Sequence, residues 1–273
     1  MNDVRTSAVA GMFYPSDPFK LRSMVRKLME SAAQVHSEDH MYGIAVPHAG
    51  YMYSGYTAAC SFASVMERNY KHIIILSPSH YELFEGCSVC EADVFETPLG
   101  LMPVDRELAE ELMKHTDRIF FSKRGHGREH GIEVELPFIQ YIWGDVSIVP
   151  LVMGSQDDGC ISALAEGLRA AALRKDILII TSTDLSHFYK KKQADRLDAE
   201  VEREINAMNP GELDMKFKTG TAEACGGGLL LSHMKALKHI PGIKGKVLYR
   251  TDSSESSGDT DSVVGYLSAV FYA

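Results

Sequence analysis

The chain has 273 residues, with 28 Lys plus Arg against 37 Asp plus Glu and a formal net charge of −9, a field that repels phosphate and argues against a nucleic-acid or anionic-membrane binder. Hydrophobic residues make up 45% and charged residues 24%, a globular composition that can bury a full core without disulfides and excludes disorder as the main character. Five cysteines, at 60, 87, 90, 160 and 225, are an odd and scattered set that fits reduced thiols.

No Pro-rich, repeated or low-complexity stretch marks a linker, so one domain over residues 1–273 is expected. The opening string MNDVRTSAVAGMFYPSD lacks the apolar run of a signal peptide, and no later segment approaches the roughly 18 apolar residues of a membrane span. A cytoplasmic location is the expectation.

Along the chain, short β-branched runs alternate with longer amphipathic ones. Residues 44–46 read as a strand leading into PHAGYMYSG and a helix over 57–67, and HIIIL (72–76) is an apolar run of the kind buried on both faces of a sheet. A hairpin over 87–101 is expected next, then a helix over 105–114, a Gly-broken turn at GHGREHG and a helix over 132–142. VSIVPLV (146–152) and DILIITS (176–182) read as two more buried strands, separated by a helix over 159–173. Helices over 193–208, 210–218 and 223–237 follow. Strands over 246–250 and 262–271 flank the acidic TDSSESSGDTD (251–261), which has the composition of a mobile surface loop. Strands separated by helices of this length require crossover connections, so the expected fold is α/β, with a mostly parallel central sheet and helices on both faces.

In open parallel sheets ligands bind beyond the carboxyl ends of the strands. Three of the buried-strand candidates end in histidine: IAVPHAG delivers His48, IIILSPSH delivers His80, and ILIITSTDLSH delivers Asp184 and His187. One such histidine can simply be satisfied by loop hydrogen bonds. Three at one rim point to a site, because imidazole is the common metal ligand and acid/base at neutral pH. Pro47 and Pro78 fix φ nearby and stiffen the turns.

Cys225, in TAEACGGGLLL, falls just inside the expected helix over 223–237. A thiol at a helix N-terminus is expected to ionise more readily, and the three glycines permit close approach of a ligand or backbone; the alternative is a small buried apolar residue with glycines serving helix packing. Cys87 and Cys90 form a CxxC with no second pair at zinc-binding spacing, and on a strand their odd spacing sends them to opposite faces. His126-Gly127-Arg128-Glu129-His130 matches the H-x-x-E-H pattern of inverzincins, which needs a regular helix. Gly125, Gly127 and Gly131 around it, at about 1 kcal/mol each in a helix interior, favour a loop. That loop can still bring His130, Glu129 or Glu133 to the rim, with His130 as a catalytic candidate.

Taken together and in order, GMFYPSDP (11–18), VPHAGYMYSGYTA, LSPSH, TPLG (97–100), EHGIEVELPFIQY (129–141), STDLSHF and the late CGG resemble the Memo family over nearly the whole chain. The resemblance implies a fold like that of class III extradiol dioxygenases, with a non-haem metal site at the sheet rim. It implies metal binding by His48 and His80, a thiol ligand at Cys225, and Asp184 and His187 as the remaining site residues, His187 as acid/base. It also implies AMMECR-type and radical-SAM proteins as companions. One departure counts: ring-cleaving dioxygenases hold Fe(II) with two histidines and a carboxylate, whereas the third position here is a cysteine, a softer ligand that also suits copper(I) or zinc.

The leading reading is therefore a non-haem iron or copper oxidoreductase acting on a small molecule. Tyr51, Tyr53 and Tyr81 are candidates to line its pocket, with packing as the alternative role. A second reading is a metal-binding or protein-interaction module without turnover, consistent with the signalling role associated with vertebrate Memo relatives. A zinc hydrolase built on HGREH is third.

Overall fold

Local chemistry starts most of the helices. Asp17, Asp105, Asp157 and Asn209 each accept a hydrogen bond from the backbone N–H three residues on, and Pro18, Pro137 and Pro210 occupy first-turn positions where a missing N–H costs nothing. The computed structural model describes residues 3–32, 39–144 and 146–273. In chain order it begins with β1 (Val4–Arg5), α1 (Pro18–Ser31), β2 (Met41–Val46), α2 (Tyr51–Val65) and β3 (His72–Pro78). Next come β4 (Cys87–Val89), β5 (Val94–Thr97), β6 (Gly100–Pro103), α3 (Arg106–Met113), β7 (Ile119–Phe121) and α4 (Leu136–Ile142). The chain continues through β8 (Ser147–Met153), α5 (Asp158–Ala171), β9 (Ile177–Ser182), β10 (His187–Tyr189), α6 (Lys191–Asn206) and α7 (Pro210–Thr219). It closes with α8 (Gly227–Leu237), β11 (Lys244–Asp252), α9 (Ser254–Ser257) and β12 (Val263–Tyr272).

The large sheet runs β10-β12-β2-β9-β3-β8-β4-β7, with β11 also on β12, and a small sheet joins β1, β5 and β6. At its centre β2, β9, β3 and β8 are all parallel, as the crossover argument requires. Toward the edges the sheet becomes mixed: β12 pairs antiparallel with β2, β10 and β11, and β4 pairs antiparallel with β8. Along β3 the side chains alternate between two cores. Ile73 and Ile75 face α1, α2 and α4, while Ile74 and Leu76 face α5 and α8, so helices cover both faces. Each fully buried Ile or Leu there contributes about 1.5–3 kcal/mol.

Several local expectations shift. The hairpin is β5–β6, while Cys87–Val89 joins the large sheet instead, because its backbone pairs with Leu151–Met153. Residues 132–142 hold a single 3-10 turn at Glu133–Glu135 before α4. Helix α8 starts at Gly227 rather than 223, since the preceding residues form a turn tied to the loop after β9. The acidic segment is ordered at its start, where β11 reaches Asp252 and α9 follows, and is exposed over 255–262. Cys87 and Cys90 enter opposite cores and are both buried. Among the described residues no helix is long and apolar enough to cross a membrane.

Candidate metal centre

Strand order assembles the rim. β2, β9 and β3 are parallel neighbours with Val46 opposite Ser182 and Leu76 opposite Thr181, so the loops that follow them open on the same edge. β2 runs against β12 toward Val264, which is where β10 places His187. His48, His80, Asp184 and His187 thus come together by topology.

The closest approach is between His48 Nε2 and Cys225 Sγ, 3.2 Å apart. The ligand atoms of His48, His80 and Cys225 all lie within 4.8 Å of one another. Two loops hold the thiol: the Asp184 N–H donates to Sγ at 3.2 Å, and the Cys225 N–H donates to the Asp184 carbonyl at 3.1 Å. Gln156 grips the same turn, donating to the Cys225 carbonyl at 2.7 Å and accepting from the Gly228 N–H. A Cβ at Gly226 would come within 2.8 Å of the Thr183 side chain, so that glycine serves close loop packing. Cys225 itself precedes α8 rather than starting it. The expectation of an easily ionised thiol is overturned, since burial and the neighbouring Asp184 carboxyl push it well above the ordinary range.

Both candidate histidines are held from behind. His80 Nδ1 and Glu129 Oε1 are 2.8 Å apart, and the same carboxylate accepts from the backbone N–H groups of His80, His130 and Gly131. Burial works against that charge, but the bonds from His80 and the backbone outweigh it and hold Glu129 at about 2. His48 Nδ1 lies 2.8 Å from Ser182 Oγ, which in turn is 2.6 Å from the Gly131 carbonyl and 3.1 Å from Glu135 Oε1. Burial, then the nearby His80, lowers His48 to about 3. A Cβ at Gly131 would strike Ser77 Oγ at 2.4 Å and meet His48 Nδ1 at 3.2 Å, so only glycine lets this segment press against the ring.

His187 places Nδ1 2.8 Å from the Leu185 carbonyl. A carbonyl only accepts, so Nδ1 carries hydrogen and Nε2 is left bare in the neutral ring. His187 is near enough to His48 and Asp184 to influence both, and burial lifts Asp184 above the ordinary carboxylate range. Phe188 beside it is 75% exposed with φ at 64°, a strained conformation for a bulky residue.

His130 stacks on His80 with ring centroids 4.6 Å apart and lies 4.9 Å from Phe13. His80, Glu129 and His130 also form a close trio. Glu129 already accepts four hydrogen bonds there, so it orients His80 rather than offering a free ligand oxygen. His126 does not join them. The segment is a loop, and His126 is buried with Nε2 against Ser88. Glu133, also considered for the rim, is buried in an ion pair with Arg5 and accepts from the Ala8 and Val9 N–H groups and the Tyr14 hydroxyl. Tyr51 is a packing residue whose hydroxyl donates to Val134, whereas Tyr53 and Tyr81 are exposed and Tyr81 flanks His130.

The donor set fits a cation. A protonated thiol, half-buried, facing the buried neutral imidazole of His48 is the state desolvation favours here, and a bound cation is what brings the thiol to thiolate. Among the described residues no Lys or Arg side chain contacts His48, His80 or Cys225. Sequence reasoning did not find Ser182, Glu135 or Gln156. The available signal was a pair of carboxyls, Glu133 and Glu135, inside the otherwise apolar run Ile132-Glu133-Val134-Glu135-Leu136.

Residues 5–270 match the family model described as Memo-like protein. A MEMO1 family protein of Methanobrevibacter smithii is 34% identical over 280 residues, covering 98% of this chain and 99% of that protein. Another, of Sulfolobus acidocaldarius, is 35% identical over 282 residues with the same coverage. An uncharacterized protein of Escherichia coli K12, known from its crystal structure, shares the fold with a TM-score of 0.54 and 13% identity, over 82% of this chain and 98% of that one.

Proposed function

The chain belongs to the Memo family, and from that premise we propose that His48, His80 and Cys225 hold one transition-metal ion in an oxidoreductase resembling class III extradiol dioxygenases. Fe(II) is the first choice, with copper or zinc as alternatives. The observation that carries the reading is the convergence of three donor atoms within 4.8 Å of one another. Bound there, the metal supplies Lewis-acid and redox chemistry to a small-molecule substrate.

The chain's own residues do the rest. Glu129 and Ser182 fix the ring orientation of His80 and His48 by engaging the Nδ1 atoms. His187 keeps its Nδ1 hydrogen on Leu185 and offers Nε2 to take a proton from the substrate, with the Asp184 carboxyl nearby. His130 and Tyr81 wall the opening beside His80. Metal carriage or partner binding without turnover is the second reading, favoured by the thiol in the donor set. AMMECR-type and radical-SAM partners belong to the same proposal. So does a cytoplasmic location, supported by five free cysteines.

Anaerobic reconstitution with Fe(II), Cu(I) and Zn(II), followed by elemental analysis, tests the reading. Near-stoichiometric metal in wild type and none in folded His48→Ala is expected; a variant that loads like wild type overturns it. Oxygen uptake lost in His187→Ala with metal retained separates catalysis from carriage.

A further inference from the structure

Ser182 Oγ is crowded by three polar atoms: His48 Nδ1 at 2.8 Å, the Gly131 carbonyl at 2.6 Å and Glu135 Oε1 at 3.1 Å. A hydroxyl has one hydrogen, and a carbonyl can only accept, so that hydrogen goes to Gly131. Ser182 Oγ is then an acceptor toward both remaining neighbours. A carboxylate would set oxygen lone pairs against oxygen lone pairs in a buried site, whereas a carboxylic acid donates.

We infer that Glu135 works as a neutral, hydrogen-donating carboxylic acid and that, through Ser182, it is a positioning residue for His48. The arrangement is closed: Glu135 O–H and His48 Nδ1–H donate to Ser182 Oγ, and Ser182 O–H donates to Gly131. His48 is thereby fixed in the tautomer whose bare Nε2 faces Cys225, 3.2 Å away. The reversed assignment, with Ser182 donating to a bare His48 Nδ1, leaves the 2.6 Å contact to Gly131 without a hydrogen. Burial acts in the same direction, since Glu135 is fully enclosed and its acidity is strongly suppressed. Glu129 is the contrast: it stands on the same segment but collects four hydrogen bonds and stays ionised. The two ligand histidines are thus set by two carboxyls in opposite protonation states.

The part concerning metal affinity rests on the proposed His48–His80–Cys225 centre; the protonation state does not. Infrared difference spectroscopy of the metal-free protein at mildly alkaline pH is expected to show a protonated-carboxyl band that disappears in Glu135→Gln. In wild type, Zn(II) titration is expected to give one tight site. Glu135→Gln, whose amide still donates, is expected to stay within about threefold of it, while the apolar Glu135→Met loses about 10- to 100-fold, the usual cost of removing a group that orients a ligand. Thermal unfolding of the metal-free variants identifies any that fail to fold, and the infrared comparison needs only wild type and Glu135→Gln. No protonated-carboxyl band, or equal affinity in the Gln and Met variants, overturns the inference. The band without any Zn(II) uptake by wild type overturns the metal reading and leaves the proton on Glu135.

Discussion

Two polar clusters meet the segment from Glu129 to Glu135 a few residues apart, one buried and one at the rim of the sheet, and they are built on opposite principles. Around Glu133 every hydrogen points inward: Arg5, the Ala8 and Val9 N–H groups and the Tyr14 hydroxyl all donate to one carboxylate. Arg5 also donates from Nε to the His126 carbonyl at 3.1 Å, so the N-terminal strand bolts this loop in place. At the rim the ring nitrogens are held from behind and the forward atoms of His48, His80 and Cys225 face one another. A saturated cluster is architecture, whereas a convergent set of donor atoms is the arrangement a candidate metal site requires.

The largest effect that can break this contrast is at the rim. Cys225→Ala is expected to abolish stoichiometric metal loading while leaving the metal-free protein folded, as read by elemental analysis beside circular dichroism; full loading would make the rim another saturated cluster. Next in size, Glu133→Gln is expected to cost about 3–5 kcal/mol by leaving Arg5 buried without its counter-charge, measured by denaturant unfolding. A loss under about 1 kcal/mol would mean the cluster holds nothing together. Glu129→Gln sharpens the comparison further, with about a 10- to 100-fold weaker metal affinity at little change in fold.

The smallest effect, read per pH unit, is the pH profile of the metal-free protein. Burial holds His48 at about 3 and His130 at about 4, against 6.5 for ordinary histidine. These two rings then bind more protons in the unfolded chain than in the folded one below about 6.5. Their contribution to stability is therefore full above that pH and falls as pH drops toward 4 and 3, by up to about 1.4 kcal/mol per pH unit for each histidine. A slope over that window no steeper in wild type than in the double variant His48→Asn/His130→Asn, in unfolding experiments, would place both rings in water.

The central strands and the rim histidines were legible because each depends on a few adjacent residues: an apolar run, then proline, then histidine. The resemblance brought Cys225 into the same group. Other features need contacts across the chain and were not legible. β12 entering the sheet antiparallel beside β2 pairs residues 269–272 with 41–45, a fact of register rather than of local pattern. Ser182 looks like any small residue ending a strand until Gly131 and Glu135 arrive from another loop. Helix α1 was missed although Asp17-Pro18 is a good start signal, and α8 was begun too early because the turn at Ala224–Gly226 is shaped by the loop after β9.

His48 and Cys225 are 177 residues apart in sequence. A chain leaving the ribosome N-terminus first presents both histidines long before the thiol, and β2 lacks its β12 neighbour until Val263–Tyr272 emerges. Any centre built from all three groups is therefore completed only after Cys225 and β12 have been made, which makes metal delivery an event for the folded domain and not for its first strands.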